Sequence, residues 1–106
     1  MASDRQIHFV TSEAVLTEFL ASFSRMKGTN RTLAADYAER AFTTMEVVPS
    51  TTALFEAGLD LYRRRPDKTY SMVDCMSMVL CRERDIQDIL SADRDFEQEG
   101  FTLLLR

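Results

Sequence analysis

The chain has 106 residues, of which 45% are hydrophobic, and its formal net charge is -4. This length predicts a single domain over residues 1–106 with one hydrophobic core. The acidic balance argues against a protein that coats nucleic acid through a basic surface. It leaves a nuclease open, because a carboxylate cluster that binds a divalent metal is itself acidic.

Residues 1 to 30 predict an irregular segment, a strand and a helix. Residues 1–6 are polar and are predicted to lack regular structure. The sequence IHFV at 7–10 is rich in β-forming residues and predicts a strand. Thr11 or Ser12 can cap the helix that follows, in which apolar residues recur at helical spacing. Gly28 suits the left-handed end of that helix.

The middle of the chain predicts a helix, a strand and a further helix. Apolar residues at helical spacing indicate a helix over 31–44. The sequence EVV at 46–48 predicts a short strand, which the following proline ends. Ser50 or Thr51 can cap a third helix, which ends near Pro66.

The last third predicts one more helix and two short strands. Ser71 opens the helix, residues 89–90 form a strand, 93–99 make a turn of helix, and 101–105 form the last strand. Strands that alternate with helices predict an α/β fold with parallel strands and helices on both faces. In such a sheet, ligands bind beyond the carboxyl ends of the strands.

Asp74 is the first candidate for chemistry. The spacing Ser71-x-x-Asp74 is close to a capping box, and an acid in a first turn is favoured by the helix dipole. A metal ligand at the start of a helix is the other interpretation. The two roles are compatible, since a carboxylate has two oxygens.

Asp93 and Glu18 are the other two candidates. Asp93 follows a short apolar strand, where it can be an ordinary turn or cap residue or a site acid. Glu18 can be an exposed helical residue. It lies beside the apolar stripe of its helix, however, where an unsatisfied charge is costly. Glu13 is read as exposed.

Cysteine and arginine residues offer weaker signals. Cys75 and Cys81 are six residues apart on one predicted helix and face opposite sides, so they cannot pair and are read as reduced core residues. With a single histidine, no spacing supports zinc. The run 63–65 is read as a solvated helix end, with RNA backbone contact as the alternative. Arg82 and Arg84 suit the end of the Asp74 helix.

Two blocks of the last third carry a family resemblance. The block YSMVDCMSMVLCRER at 70–84 resembles PIN domains of the VapC toxin type, and SADRDF at 91–96 is similar to their short motif after a strand. The resemblance runs from about Phe9 to Leu105 and implies a PIN-like three-layer sandwich with a short, mostly parallel sheet.

The resemblance also implies a function. It implies an endoribonuclease that depends on Mg²⁺ or Mn²⁺, forms a homodimer and pairs with an antitoxin protein. It makes Glu18, Asp74 and Asp93 metal ligands and catalytic acids, whereas Asp95 is read as exposed or as a neighbour of the ligands. The sequence contains no apolar run near the ~20 residues of a membrane span and no signal peptide, so a cytoplasmic protein is expected.

The sequence departs from the family at its beginning. PIN domains of this type start with a strand that ends in Asp, and no such segment precedes IHFV. Asp4 follows no strand and is assigned no role. A fragment or mis-started reading frame, a decayed relative, and strands that close the gap within or between subunits are the three explanations. The first is favoured, because the downstream motifs stay close to the pattern.

Two other functional hypotheses remain. One is a non-catalytic, truncated PIN scaffold that acts as a protein-interaction module. The other is a generic α/β domain whose acids are all helix caps, which predicts that Glu18, Asp74 and Asp93 lie far apart. Carboxylates that converge within about 8 Å, close enough to share a Mg²⁺ ion, would exclude the generic domain.

Overall fold

The structure is a computed structural model that describes residues 7–105. Residues 1–6, which include Asp4 and the segment predicted to be irregular, lie outside the described residues. The chain divides into two compact units, Met1–Ser50 and Thr51–Arg106. Each unit is described by itself.

The N-terminal unit contains two strands and two helices. These are β1 (Val10–Ser12), α1 (Glu13–Ser22), α2 (Thr29–Thr44) and β2 (Glu46–Val48). β1 and β2 pair in parallel, with Val10 opposite Glu46 and Ser12 opposite Val48. The alanines of α2 at positions 34, 38 and 41 are buried at helical spacing and let this helix pack closely.

The structure of this unit confirms one local prediction and corrects two others. The predicted cap is confirmed at Ser12, whose Oγ accepts the Val15 N–H at 3.1 Å. The strand begins later than predicted, at Val10, and Ile7 is 78% exposed. Gly28 does have a positive φ of 71°, but it precedes α2 rather than ending α1, which stops at Ser22.

The C-terminal unit holds three helices and two strands. These are α3 (Thr52–Arg64), α4 (Met72–Glu83), β3 (Asp88–Ile89), α5 (Arg94–Gln98) and β4 (Thr102–Leu103). β3 and β4 pair in parallel, with Ile89 opposite Leu103. The predicted caps Thr51 and Ser71 are confirmed. The last strand is shorter than predicted, because residues 101, 104 and 105 lie outside it.

The core of the C-terminal unit combines residues from every element except β3. Its buried members are Leu61, Tyr70, Cys75, Met78, Phe96, Phe101 and Leu103. Phe96 and Phe101 meet nearly edge to face, with ring centroids 6.2 Å apart. Such aromatic contacts add roughly 1 kcal/mol to the burial of the rings. They tie α5 and the start of β4 to the interior.

The close approach of α3 and α4 depends on a glycine. A Cβ at Gly58 would lie 2.6 Å from Cγ of Met76 and 3.2 Å from its Cα. Only a residue without a side chain fits at that point. This packing sets the helix that carries Asp74 firmly against its neighbour.

The α/β class with parallel strands is confirmed. The strands form two separate two-stranded sheets, one in each unit. The cysteines are also as predicted: both are free, with Cys75 buried and Cys81 half-buried. Burial raises the pKa of both thiols, which keeps them protonated and unreactive.

Candidate metal centre

Asp74 is fixed by the first turn of α4. Its backbone N–H donates to Ser71 Oγ at 3.0 Å, and its Oδ2 accepts the Ser71 N–H at 2.9 Å, which completes a capping box. The capping interpretation is therefore confirmed. It does not compete with metal binding, since the cap uses Oδ2 and the carboxylate has a second oxygen. The cap holds the half-buried side chain in one orientation.

Asp93 and Asp95 are placed by the short helix α5. Asp93 is the N-cap of this helix, and its Oδ1 accepts the Asp95 N–H at 2.9 Å. Ser91 Oγ accepts the Asp93 N–H at 3.0 Å. The loop after β3 is thus held by local hydrogen bonds, which set Asp93 and Asp95 on the same side as Asp74.

The three carboxylates converge. One oxygen each from Asp74, Asp93 and Asp95 can be chosen so that all three atoms lie within 4.8 Å of one another. Asp93 is exposed, whereas the other two are half-buried. The generic-domain hypothesis required the acids to be far apart, and for Asp74 and Asp93 that is wrong.

The closeness of the three carboxylates changes the pKa of Asp95. The pKa of Asp95 is raised by partial burial and then by the negative charges of Asp93 and Asp74. Asp95 is half-buried, so of the two expectations, an exposed residue or a neighbour of the ligands, the first is wrong. The motif SADRDF already placed two acids on one turn, but which of them would turn inward depends on how α5 packs.

The donor set suits a hard divalent cation. Mg²⁺ binds oxygen ligands at about 2.1 Å, so two ligands on opposite sides of the ion are roughly 4.2 Å apart. Ligands on adjacent corners are roughly 3.0 Å apart, so three carboxylate oxygens within 4.8 Å of one another reach that geometry with shifts of up to about 1 Å. Carboxylates at this distance repel one another, and a cation between them removes the repulsion.

Glu18 belongs to the N-terminal unit. It lies in the middle of α1 and is exposed. The charge of Glu18 is therefore not costly beside the apolar stripe, contrary to the prediction, because water solvates the exposed side chain. Its role as a metal ligand stays a prediction that rests on the family resemblance.

A buried ion pair that the sequence did not indicate lies in the C-terminal unit. The Glu99 side chain is 5% exposed and binds Arg65 and Arg82. Tyr70 Oη donates to Glu99 Oε1 at 3.2 Å. The Arg65 hydrogen bond, and then Arg82, lower the pKa of Glu99 to about 2 against the opposing effect of burial. Partial burial and the nearby Glu99 carboxylate raise the pKa of Tyr70 to about 12.

Several arginines of this unit form ion pairs within the protein. Arg65 and Arg82 bind Glu99, and Arg64 pairs with Asp60 one turn away on α3. The solvated helix end predicted for 63–65 holds for Arg64, which is exposed, but not for Arg65, which is half-buried.

Comparison with known proteins gives the family. A sequence model of the PIN domain matches residues 2–101. The chain belongs to the PIN domain family. The match covers both units, in line with the resemblance seen in the motifs. No curated protein matches the sequence.

A solved structure places this PIN domain beside the VapC toxins. The chain is similar to Mycobacterium tuberculosis VapC20, described as a toxin that cleaves the sarcin–ricin loop, with 28% identity and a TM-score of 0.79. The match covers 95% of this chain and 77% of VapC20. The fold is thus a PIN-like, VapC-like α/β fold. Among the described residues, no helix is long and apolar enough to cross a membrane.

Proposed function

We propose that this PIN domain is a metal-dependent endoribonuclease of the VapC-like toxin type that hydrolyses RNA phosphodiester bonds. The convergence of Asp74, Asp93 and Asp95 within 4.8 Å carries the proposal. The similarity to VapC20, a toxin that cleaves an RNA loop, supports RNA as the substrate class.

Each acid has a role in this proposal. Asp74, Asp93 and Asp95 hold Mg²⁺ or Mn²⁺, and their two helix caps keep the carboxylates in place. When bound, the ion supplies Lewis-acid polarisation of the phosphate and lowers the pKa of a water molecule. A carboxylate of the cluster can also orient that water and accept its proton.

Glu18 is proposed as a further acid of the site. The resemblance supports it, because PIN domains of this type have a site glutamate before an apolar residue on the corresponding helix. Glu18→Gln tests it separately from the aspartates. Loss of cleavage with unchanged stability supports the role, and wild-type cleavage refutes it.

The decisive experiment is a cleavage assay on structured RNA. The purified protein is incubated with an RNA hairpin library at Mg²⁺ and Mn²⁺ concentrations from micromolar to millimolar, with EDTA as the metal-free reference. Asp93→Asn is the main variant, because Asn caps a helix as well as Asp does and only the charge is lost. Asp60→Asn is the matched control, since Asp60 is exposed and pairs with Arg64.

The expected result is cleavage that requires the metal and falls at least about 100-fold in Asp93→Asn, in line with the loss of one charge-stabilising group. Asp60→Asn should cleave like the wild type. Equal cleavage by wild type and Asp93→Asn would refute the catalytic site, as would cleavage that EDTA does not change. Metal binding without cleavage of any RNA would favour the non-catalytic interaction module.

Association with an antitoxin protein and with a second copy is part of the same proposal. α3 supports it with exposed apolar side chains at helical spacing, since Phe55 is 49%, Leu59 36% and Tyr62 51% exposed. Light scattering of the purified protein tests the homodimer. A monomer at micromolar concentration would refute it, and Phe55→Ser should weaken a dimer that uses this face.

A further inference from the structure

Two of the three clustered acids belong to a helix that is too short to be stable by itself. α5 has five residues, and an isolated helix of that length is not stable in water. Asp93 caps it and Asp95 lies in its first turn. The position of both carboxylates relative to Asp74 on α4 therefore depends on what anchors α5 from outside.

One anchor is apolar. Phe96, in the middle of α5, is buried in the core of the C-terminal unit. A single ring fixes the depth of the helix, but the helix can still rotate about that contact. Phe101 and the pairing of β3 with β4 hold the chain on either side of α5, and a polar attachment at the end of the helix further restricts the direction in which Asp93 and Asp95 point.

Glu99, the residue directly after α5, provides that attachment. Its Oε1 accepts from Arg65 Nε at 2.6 Å, and its Oε2 accepts from Arg82 Nη2 at 2.8 Å. Arg82 Nη2 also donates to the Glu99 carbonyl oxygen at 2.7 Å. The arginine therefore holds both the side chain and the backbone of this residue.

The partners of Glu99 come from the end of α3, from α4, and from the residue before the α4 cap. Arg65 ends α3, and Arg82 lies in the last turn of α4, the helix whose first turn carries Asp74. Tyr70, which donates to Glu99 Oε1, directly precedes the Ser71 cap. Glu99 thus connects the end of α5 to both ends of the helix that carries the facing acid.

The clamp opposes a force that the site itself creates. The charges of Asp74, Asp93 and Asp95 repel one another and push α5 away from α4 when no cation lies between them. The Glu99 carboxylate is shielded from water, whereas Arg65 is 31% and Arg82 46% exposed, so these pairs resist the displacement better than pairs with both partners in solvent would.

We propose that Glu99, with Arg65 and Arg82, is a positioning clamp that holds Asp93 and Asp95 at coordination distance from Asp74 before the metal binds. The proposal rests on the metal site of the proposed function. It assigns no contact with metal or substrate to Glu99. Its effect is on metal affinity, because the clamp reduces the movement needed to form the site.

The test measures Mn²⁺ affinity by isothermal titration calorimetry at 15 °C and neutral pH. The variants are Glu99→Gln, which removes the charge, and Arg82→Gln, which leaves Arg65 bound to Glu99 and retains more stability. Loss of a group that orients metal ligands typically weakens metal binding about 10- to 100-fold. A rise in Kd of at least about tenfold is expected for Glu99→Gln, and a smaller rise for Arg82→Gln.

Two controls separate positioning from simple loss of stability. Arg64→Gln removes the neighbouring arginine, which pairs with Asp60 on the surface, and should leave Kd unchanged. Leu54→Val thins the protein interior at a buried position of α3 that lies outside the core cluster containing Phe96, the apolar anchor of α5. It should lower the melting temperature without changing Kd.

A second readout is the metal dependence of RNA cleavage. The clamp variants should need more Mn²⁺ for half-maximal rate and approach the wild-type rate at saturating Mn²⁺. Unchanged Kd in folded Glu99→Gln and Arg82→Gln overturns the clamp alone, as does an equal loss of affinity in Leu54→Val. A wild type that binds no Mn²⁺ overturns the metal site itself, and the clamp with it.

Discussion

Replacing Asp95 by asparagine should stabilise the metal-free protein and weaken its response to metal. Asp95 faces two other carboxylates, with oxygens within 4.8 Å of one another. At 4.8 Å, two unit charges interact by about 1 kcal/mol in water and about 3.5 kcal/mol at an effective dielectric constant of 20. Asp93 is exposed, so the lower figure applies to its contact with Asp95.

The contributions to the free energy of unfolding favour Asp95→Asn over the wild type when no metal is bound. Two repulsive pairs at about 1 kcal/mol each are removed. The variant loses the interaction of an acid with the first turn of α5, which is worth roughly 0.5 kcal/mol. A net gain of about 1 kcal/mol remains, which for a domain of this size raises the melting temperature by roughly 4 °C or more.

The difference in stability between Asp95→Asn and the wild type should change sign when metal is added. At 100 times its Kd, an ion that binds only the folded state stabilises the wild type by about 2.7 kcal/mol. Asp95→Asn loses one ligand and should gain much less. Thermal unfolding followed by circular dichroism, with EDTA and with a series of Mg²⁺ concentrations, measures both effects.

Asp60→Asn is again the control, because it removes the same charge from an exposed helix position. Its stability should stay within about 0.5 kcal/mol of the wild type in both conditions. A metal-free Asp95→Asn that melts below the wild type would refute the repulsion argument. If Mg²⁺ raised the stability of Asp95→Asn as much as that of the wild type, Asp95 would take no part in metal binding.

Two further predictions concern stability. The pKa of Glu99 is lowered from 4.5 to about 2, so its ion pairs contribute roughly 3 kcal/mol above pH 5, and this is lost as the pH falls from 4.5 towards 2. Urea unfolding at pH 7 and pH 3 should therefore show a steeper loss for the wild type than for Glu99→Gln, and parallel losses would contradict the pairing. Gly58→Ala should lower stability by up to about 2 kcal/mol, because the clash with Met76 outweighs the ~1 kcal/mol gain in helix propensity. An unchanged or raised melting temperature would show that Met76 moves aside without cost.

The sequence by itself determined the features that depend on neighbouring residues. Ser12, Thr51 and Ser71 cap helices as predicted, because a cap needs only a side-chain oxygen and an N–H three residues later. The alternation of strands and helices gave the parallel α/β class. The motifs around Asp74 and Asp93 identified the PIN family and two of the clustered acids.

Tertiary structure decided the features that depend on distant residues. Asp95 joins the cluster because Phe96 is buried and turns α5 towards α4. Glu99 lies at the end of the turn of helix predicted for 93–99, and its partners lie 17 and 34 positions away in the sequence. No local pattern encodes such a pair, since its stability comes from burial that exists only after α3, α4 and α5 have packed together.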